Sequence, residues 1–491
     1  TVKLVSSLAS ERAQSVMAEG GINAALNTKG EEDSPEQHYA DTLTAACGLA
    51  DPNAVWGMTQ AASELVRSLH HLGVQFNVTD DDELDLRNFG GQKKKRTAFA
   101  QSDTGKQLMT ALIDAVRREE SAGTVERFPH HKFRTLLFSG NICGGCTVQD
   151  TYTGELLRFV CDAVLIATGG PHGLFGDTTG SLANTGEVTA ELFRLGVPMA
   201  NLEMIQYHPT TVEQGGKRML LSEAARGEGG RLFALRNGKP WYFMEEKYPE
   251  LGNLMPRDIT AREVWTVSRD YEVFLDMTEL PKEVMEHKLA GLVDDCQTYL
   301  HKDIRKEPIP ILPGIHYFMG GIQVDERHRT SMRNLYAAGE CCAQYHGANR
   351  LGGNSLLGAI YGGQIAAETA CQEAAGSPNM PCAEEPLLPD LSPDAQMQMN
   401  RILLNALGVV RDTQTLETGV QEIRKLSGTL PLLGRAMLES ALARKESRGA
   451  HWRADYPQRN DAVYCKTTVA HWNGQHIAIS FKSIPERRYD L

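Results

Sequence analysis

Arginine, histidine and glutamate recur beside glycine in five short segments, a combination that a hydrophobic core does not need. In chain order they are QYHPT (206–210), SEAARGEGG (222–230), MPRDITAR (255–262), HYFMGGI (316–322) and HGANRLGGNSLL (346–357). A guanidinium group binds a carboxylate through two parallel hydrogen bonds, and glycine lets the backbone approach a ligand closely. Together the segments predict a site for a small dianion.

Each segment has a simpler interpretation when it is taken alone. A histidine beside proline, such as His208, is more often a hydrogen-bonded structural residue than a ligand. An arginine before aspartate, such as Arg257, more often forms a surface ion pair or holds a domain in place. The dianion interpretation depends on three arginines and two histidines occurring together in glycine-rich segments.

Composition limits the classes of protein that are possible. The 491 residues exceed what one hydrophobic core organises, so two or three domains are expected. Lys and Arg total 50 against 62 for Asp and Glu, a formal charge of −12, which argues against nucleic acid or anionic membrane surfaces as general partners. No apolar run approaches about 18 residues, so no membrane span is expected within the chain.

The cysteines do not suggest a disulfide scaffold, since ten are spread over a long chain. Cys143 and Cys146 form a CGGC, a spacing found in metal and redox sites. No second ligand pair lies nearby in the sequence, so we interpret the two as a reduced structural pair in short strands and predict no metal site. Reduced cysteines indicate a reducing compartment, and we therefore expect the protein in the cytoplasm.

Two strand patterns run directly into glycine-rich turns, as in nucleotide-binding α/β sheets. The first is the apolar run 163–167 followed by Thr168–Gly169–Gly170, and the second is 334–338 followed by Gly339–Glu340. Helical periodicity predicts helices over 51–73, 104–122 and 353–375. The basic run 93–96 is expected to be a solvated face.

These segments, in this order, resemble the flavoprotein subunits of fumarate reductase and succinate dehydrogenase, with L-aspartate oxidase as a close relative. The resemblance extends from AEGGINAAL (18–26) to ARKESRGAHWRADYPQRND (443–461) and so covers nearly the whole chain. It implies an FAD-dependent enzyme that interconverts fumarate and succinate. The expected fold is mixed α+β and α/β, with a Rossmann-like FAD-binding domain (1–211 and 313–378), an inserted capping domain (212–312) and a C-terminal helical domain (379–491).

The resemblance also implies roles for individual residues. His208, Ser222, His316 and Arg350 would bind the two substrate carboxylates, with Ser222 standing where the family often has threonine. Arg257 would donate the proton to the substrate carbon. Glu223 and Arg226 would relay protons to it, and their spacing puts both on one face of a helix.

The FAD contacts that the resemblance implies are spread along the chain. Ser15, Gly20 and Gly21 would lie beside the flavin ring, Glu187 would contact the adenosine half, and Glu340 would bind ribityl or ribose hydroxyls. Thr168 and Gly169 would line the nucleotide path. Ser355 and Leu356 would offer backbone N–H groups to the pyrimidine end of the ring. For Ser15 and Glu187 a purely structural role is the strongest alternative.

Three departures from the family pattern shape the functional prediction. The phosphate loop G-x-G-x-x-G is absent from the sequence given, and Val2–Val5 resembles the strand that follows it, so either about thirty residues precede this sequence or the chain holds FAD weakly. Gln14 stands where respiratory members carry the FAD-linking histidine, which predicts non-covalent FAD and favours fumarate reduction. Phe89 replaces the glutamate that meets the substrate ammonium in L-aspartate oxidase, which favours a plain dicarboxylate.

The resemblance further implies an iron–sulfur partner subunit, since this chain lacks the clustered cysteines of such centres, and a possible membrane anchor among the partners. Those partners would place the chain in the cytoplasm at the inner face of the membrane. Two alternatives stay open: an L-aspartate oxidase-like enzyme, and a non-catalytic scaffold derived from a flavoprotein.

Overall fold

A computed structural model describes residues 1–373 and 386–488. The α-helices of this part of the chain are α1 (Pro35–Ala45), α2 (Pro52–Leu72), α3 (Thr104–Ser121), α4 (Glu187–Arg194), α5 (Ala224–Gly227), α6 (Phe243–Lys247), α7 (Arg257–Ser268), α8 (Ala290–Tyr299), α9 (Asn354–Glu373), α10 (Pro393–Ala406), α11 (Thr413–Ile423), α12 (Thr429–Ala443) and α13 (Asp461–Tyr464).

The strands of the first half are β1 (Val2–Ser6), β2 (Ile22–Asn23), β3 (Leu86–Arg87), β4 (Thr97–Ala98), β5 (Val125–Pro129), β6 (His131–Ser139), β7 (Ile142–Asp150), β8 (Leu156–Val160), β9 (Val164–Ile166), β10 (Met199–Ala200), β11 (Ile205–Gln214), β12 (Lys217–Leu220), β13 (Arg231–Arg236) and β14 (Lys239–Trp241). Those of the second half are β15 (Val273–Asp276), β16 (Ile309–Pro310), β17 (Leu312–Phe318), β18 (Gly321–Gln323), β19 (Leu335–Ala337), β20 (Cys342–Ala343), β21 (Lys466–Trp472) and β22 (Ile477–Ser483).

The three helices predicted from periodicity are α2, α3 and α9. Asp51 caps α2, because its carboxylate accepts hydrogen bonds from the backbone nitrogens of Asn53 (2.9 Å) and Ala54 (3.3 Å). Gly73 ends the helix in the left-handed conformation, with φ +116°. The predicted end of α9 near residue 375 lies outside the described residues.

Two parallel strand pairs form the Rossmann-like part of the fold. β1 pairs with β5, and β9 pairs with β19 in the register Leu335 to Val164 and Ala337 to Ile166. Because both strands of the second pair run in the same direction, the turns that follow them meet at one edge. The two strand-to-glycine patterns found in the sequence therefore lie side by side.

The segment predicted as the capping domain has its own sheet, in the order β14-β13-β15-β16, and its own hydrophobic core around Leu232, Leu275 and Ile309. It is joined to the rest through β11 and β17, which pair antiparallel. β11 crosses the predicted boundary at 211/212 and β17 crosses the one at 312/313. These two boundaries stay predictions.

Within the described residues, the C-terminal helices share a hydrophobic core with the rest of the fold. Leu403 of α10 and Leu433 of α12 belong to the same buried cluster as Phe193 of α4 and Leu335 of β19. The segment also contains strands, since β21 pairs with β10 and forms a hairpin with β22. The predicted boundary at 378/379 lies outside the described residues.

The structure revises two local predictions. The basic run 93–96 was expected to be solvated, but Arg96 is fully buried and pairs with Asp33 (2.8 Å) and Asp41 (2.9 Å), so that part of the prediction is wrong. The CGGC was predicted to lie in short strands, and it lies within the single nine-residue strand β7. Among the described helices, none combines the length and apolarity needed to cross a membrane.

A buried arginine network joins the C-terminal segment to the central sheet. Arg444, with no exposed side-chain surface, donates to Glu203 (2.7 Å), Glu446 (2.9 Å) and Thr468 (2.7 Å). Arg448 donates to the same Glu446 (2.7 Å). Removal of one member of such a network leaves charges in a medium that cannot solvate them.

We therefore expect Arg444→Leu to lower the free energy of unfolding by about 3–5 kcal/mol. The matched control is Arg424→Leu, because Arg424 pairs with Glu439 at the surface and such pairs contribute at most about 1 kcal/mol. Urea unfolding of both variants measures the difference. Equal stability of the two variants would show that the network does not hold the C-terminal segment.

Candidate active site

Two neighbouring strands bring the predicted histidines together. β11 carries Gln206 and His208, and β17 carries His316, with His208 opposite Gly314 in the antiparallel register. The two imidazole rings lie 5.1 Å apart. His316 is held by Thr179, whose hydroxyl lies 2.9 Å from its Nδ1.

One buried carboxylate is shared by two predicted catalytic arginines. Glu223 Oε2 accepts hydrogen bonds from Arg257 Nε (2.8 Å) and Nη2 (2.6 Å), and Oε1 accepts from Arg226 Nη2 (3.1 Å). Arg257 is the first residue of α7, and Arg226 lies in the single turn of α5. The predicted proton-relay residues are thus hydrogen-bonded in the order Arg226, Glu223, Arg257.

Gln206 connects this line to the third arginine. Its Oε1 accepts from Arg257 Nη1 (3.2 Å) and from Arg350 Nη2 (3.0 Å). Arg350 also lies over the ring of Tyr317, with its guanidinium carbon 4.4 Å from the ring centroid. Sequence reasoning named the QYHPT segment but gave Gln206 no role.

Burial and the arginine charges set the protonation states of the site. Burial raises the pKa of Glu223, but the charges of Arg257 and Arg226 outweigh it and leave the pKa below its ordinary value. Burial, followed by the charge of Arg257, lowers the pKa of Arg350 to about 9, so it stays charged at neutral pH. The same two causes hold the pKa of His316 well below 6.5.

The site contains more positive charge than its own residues neutralise. Three hydrogen-bonded guanidinium groups face one ionised carboxylate, an excess of two positive charges, and the neighbouring imidazoles are neutral. Among the described residues, His208 Nε2, Arg226 Nε and Arg350 Nε are buried without a hydrogen-bond partner. Buried polar groups of this kind usually meet a ligand or water.

Ser222 lies between this cluster and the loop that carries Gly20 and Gly21. Its hydroxyl accepts from the backbone nitrogen of Ala224 (3.4 Å), and its proximity acts to lower the pKa of Glu19. Burial, with a contribution from the charge of Asp295, raises the pKa of Glu19 to about 8. Glu19 was not predicted from the sequence, although it directly precedes the glycine pair.

The residues predicted to bind the nucleotide path of FAD lie on adjacent turns. A Cβ atom at Gly170, next to Thr168 and Gly169, would stand 2.6 Å from a carboxylate oxygen of Glu340. Glu340 follows β19 and accepts from the backbone nitrogen of Phe318 (3.0 Å). Glycine at position 170 therefore lets Glu340 pack directly against this turn, which brings the two predicted cofactor-binding segments into contact.

The residues predicted to contact the flavin ring converge at the start of α9. Ser355 and Leu356 lie in its first turn, where backbone N–H groups have no partner within the helix. The backbone nitrogen of Asn23 donates to Gly353 (3.1 Å), which holds the Gly20–Gly21 loop against the same helix start. A Cβ at Gly21 would stand 2.5 Å from a backbone oxygen, so only glycine fits there. These features fit FAD.

Three further residues belong to the predicted FAD environment. Ser15 and Gln14 form one 3₁₀ turn, and Gln14 Oε1 accepts from the backbone nitrogen of Ser181. Glu187 begins α4 and pairs with Lys132 (2.8 Å), a contact that gives it a structural role as well. A structural role was the alternative to FAD binding that the sequence analysis gave for Glu187.

Comparison with known proteins agrees with this geometry. The model of the FAD binding domain family matches residues 1–356, and the model of the fumarate reductase flavoprotein C-terminal domain matches residues 428–489. The first match alone covers more than half of the chain. Fold and site therefore define an FAD-dependent flavoprotein oxidoreductase.

Similarity to individual proteins identifies the family within this class. The succinate dehydrogenase flavoprotein subunit of Bacillus subtilis is 38% identical, over 96% of this chain and 89% of its own length. The L-aspartate oxidase of Streptomyces coelicolor is 31% identical, over 96% and 87%. A solved structure of mutant E. coli quinol fumarate reductase superposes with a TM-score of 0.90 at 26% identity, over 99% of this chain and 93% of that one. The chain belongs to the succinate dehydrogenase and fumarate reductase flavoprotein family, as the resemblance predicted.

The pKa of Glu223 leads to a prediction about acid stability. A carboxyl group whose pKa is lower in the folded state stabilises the fold above its unfolded pKa, near 4.5, and loses that contribution as the pH falls through the folded value. Wild type should therefore exceed Glu223→Gln in unfolding free energy at pH 6–7, and the difference should shrink below about pH 4.5.

Urea unfolding of both proteins between pH 7 and pH 3 measures this difference. Glu213→Gln is the matched control, because Glu213 is an exposed carboxylate on β11. A difference between wild type and Glu223→Gln that stays constant across the whole range would show that Glu223 does not titrate with a lowered pKa.

Proposed function

We propose that the chain catalyses the FAD-dependent reduction of fumarate to succinate, or the reverse reaction, at the arginine cluster. The observation that carries the proposal is the excess of two buried positive charges formed by Arg226, Arg257 and Arg350 around the single carboxylate of Glu223. A dicarboxylate supplies the two negative charges that balance this excess. Its oxygens can also accept from buried donors that lack a partner within the described residues.

The proposed binding arrangement gives each carboxylate neutral and charged donors. Arg350 offers its Nε, and His208 offers its Nε2, both buried without a partner in the described chain. His316 and Ser222 complete the proposed set. Since the two imidazoles are neutral, each donates from one nitrogen only. For His316 to donate to the ligand from Nε2, its Nδ1 would accept from the hydroxyl of Thr179.

The proposed chemistry divides between cofactor and protein. Bound FAD would supply or accept the hydride. Arg257 would donate a proton to the other alkene carbon, and the adjacent cationic groups would stabilise the negative charge that develops on the neighbouring carboxylate. An arginine is a weak acid, but a carbanion-like carbon is a strong base, so a positioned weak acid suffices. Glu223 would then return a proton to Arg257 from Arg226.

Replacement of the proton donor tests this assignment. Arg257→Ala should lower kcat for fumarate reduction by at least about a hundredfold, since positioned acid catalysis contributes about 10²–10⁴-fold, while dicarboxylate binding largely persists through Arg350. A reduced-viologen assay gives kcat, and flavin difference spectra give binding. Arg269→Ala, at the far end of α7, is the matched control. Unchanged turnover in Arg257→Ala would remove the proton-donor role.

We further propose that the FAD is bound without a covalent link. Gln14 has an amide where a linking residue needs a nucleophilic ring nitrogen, and its Oε1 is already engaged by the backbone of Ser181. A flavin without an electron-withdrawing covalent substituent is a better reductant, which favours fumarate reduction as the working direction.

Acid precipitation tests the linkage. The yellow protein should give a colourless pellet and release FAD into the supernatant, and the mass of the denatured chain should equal that of the polypeptide. Gln14→Ala should release FAD equally, because no bond is lost. Flavin retained in the pellet would contradict the proposal, and a colourless purified protein without turnover would instead support the non-catalytic scaffold.

L-aspartate oxidase activity is the second candidate, favoured by the 31% identical relative from Streptomyces coelicolor. Phe89 argues against it. The Phe89 ring is buried and lies 3.3 Å from the position of a Cβ at Gly20, and a Cβ at Gly352 would lie 3.0 Å from Phe89 and 3.2 Å from Glu223. A phenyl ring offers an ammonium group neither a negative charge nor a hydrogen-bond acceptor, both of which a glutamate at this position would supply. Aspartate-dependent peroxide formation would distinguish the two activities.

We propose an iron–sulfur protein as the electron-transfer partner, with a membrane anchor among further partners and a position at the cytoplasmic face. The support is that the relative from Bacillus subtilis is named as a flavoprotein subunit. In addition, no group of three or more His, Cys, Asp or Glu side chains suited to a metal ion occurs in the described part of this chain.

A further inference from the structure

A chain of side-chain hydrogen bonds leads from the arginine cluster to Asp258. Gln206 donates from Nε2 to Asn349 Oδ1 (2.8 Å), and Asn349 donates from Nδ2 to Asp258 Oδ1 (3.0 Å). Gln206 also donates to the backbone oxygen of Arg350 (2.9 Å). Gln206 and Asn349 are buried, and all three residues lie within five positions of a predicted substrate or proton-transfer residue.

The direction of these hydrogen bonds is fixed from both ends. At one end the guanidiniums of Arg257 and Arg350 can only donate, so they bind Gln206 Oε1. An ionised carboxylate can only accept, so Asp258 binds the nitrogen side of the Asn349 amide. The oxygen of that amide must then face Gln206, and it accepts from Gln206 Nε2. This leaves Gln206 Oε1 on the opposite side, where it meets the two arginines. Burial raises the pKa of Asp258 above its ordinary value, whereas the charge of Arg262 and the backbone hydrogen bonds at the start of α7 act in the opposite direction and favour the ionised form.

The orientation of the Gln206 amide matters because of what surrounds it. Oε1 lies between Arg257 Nη1 (3.2 Å) and Arg350 Nη2 (3.0 Å) and is a shared acceptor for two like-charged groups. If the amide were turned over, its NH₂ group would face both guanidiniums. All three groups can only donate hydrogen bonds, so none of them would find an acceptor there. The arginines would then have to move apart, and a displacement of about 1 Å in such a site can cost about a hundredfold in rate.

We propose that Asp258 and Asn349 are positioning residues that fix the orientation of the Gln206 amide, and through it the spacing of the proton donor Arg257 and the carboxylate-binding Arg350. The inference rests on the proposed dicarboxylate reaction. Because Gln206 holds both arginines, loss of its orientation lowers kcat and raises KM together.

Exchange of the side chains at positions 258 and 349 provides the test. Asp258→Asn removes the group that can only accept, and we expect a loss of about tenfold in kcat/KM. Asn349→Asp places two carboxylates against each other, and we expect a loss of about a hundredfold or more. In the double variant Asp258→Asn/Asn349→Asp, the carboxylate at 349 accepts from both neighbours, so Gln206 keeps its orientation. We expect kcat/KM to return to within about threefold of wild type.

This recovery distinguishes positioning from a structural role of Asp258 at the start of α7. If Asp258 only stabilised the helix, the double variant would be as impaired as Asp258→Asn, and that result would overturn the inference. Wild-type kinetics in Asp258→Asn would overturn it as well. Asp270→Asn, the same change in an exposed residue just beyond α7, is the matched control.

A crystal structure of Asp258→Asn tests the inference without turnover. The expected result is loss of at least one of the hydrogen bonds from Arg257 and Arg350 to Gln206, and unchanged contacts would overturn the inference. A wild-type protein that does not reduce fumarate would count against the proposed function alone, because this structural measurement does not depend on the substrate.

Discussion

The shared carboxylate of Glu223 is the interaction on which the site depends. Two buried guanidiniums, those of Arg226 and Arg257, bind opposite oxygens of this one group. Without it, three arginine charges would lie together in a region that excludes water, at a cost that few folds tolerate. With it, the cluster is stable enough to form yet keeps an excess of two positive charges, which a dianion can neutralise.

The architecture explains how such a cluster can be assembled. Glu223 and Arg257 come from the segment predicted as the capping domain, whereas Gln206, His316 and Arg350 come from β11, β17 and the loop before α9. The antiparallel pairing of β11 and β17 joins the two parts of the chain at the site. Any movement of the capping segment would therefore alter both the charge balance and the access of water to the arginines.

The proposed FAD environment adjoins the cluster through glycines. Gly352 stands between Phe89 and Glu223, and Gly20 packs against the same phenylalanine ring. These close approaches leave no space for side chains where Gly20 and Gly352 meet Phe89. The apolar ring of Phe89 packs against both glycines and bears on the choice between a plain dicarboxylate and an amino acid.

The sequence by itself determined the family, the helices α2, α3 and α9, and the segments that carry the predicted site residues, because these depend on local periodicity, capping and short fixed spacings. It could not determine that Arg96 is buried, that Gln206 lies between two arginines, or that Asp258 and Asn349 reach it. Those contacts join residues more than 50 positions apart, and only the tertiary packing brings them within hydrogen-bond distance. The tertiary structure also decided the pKa of Glu223, since burial raises it and the charges of Arg257 and Arg226 lower it.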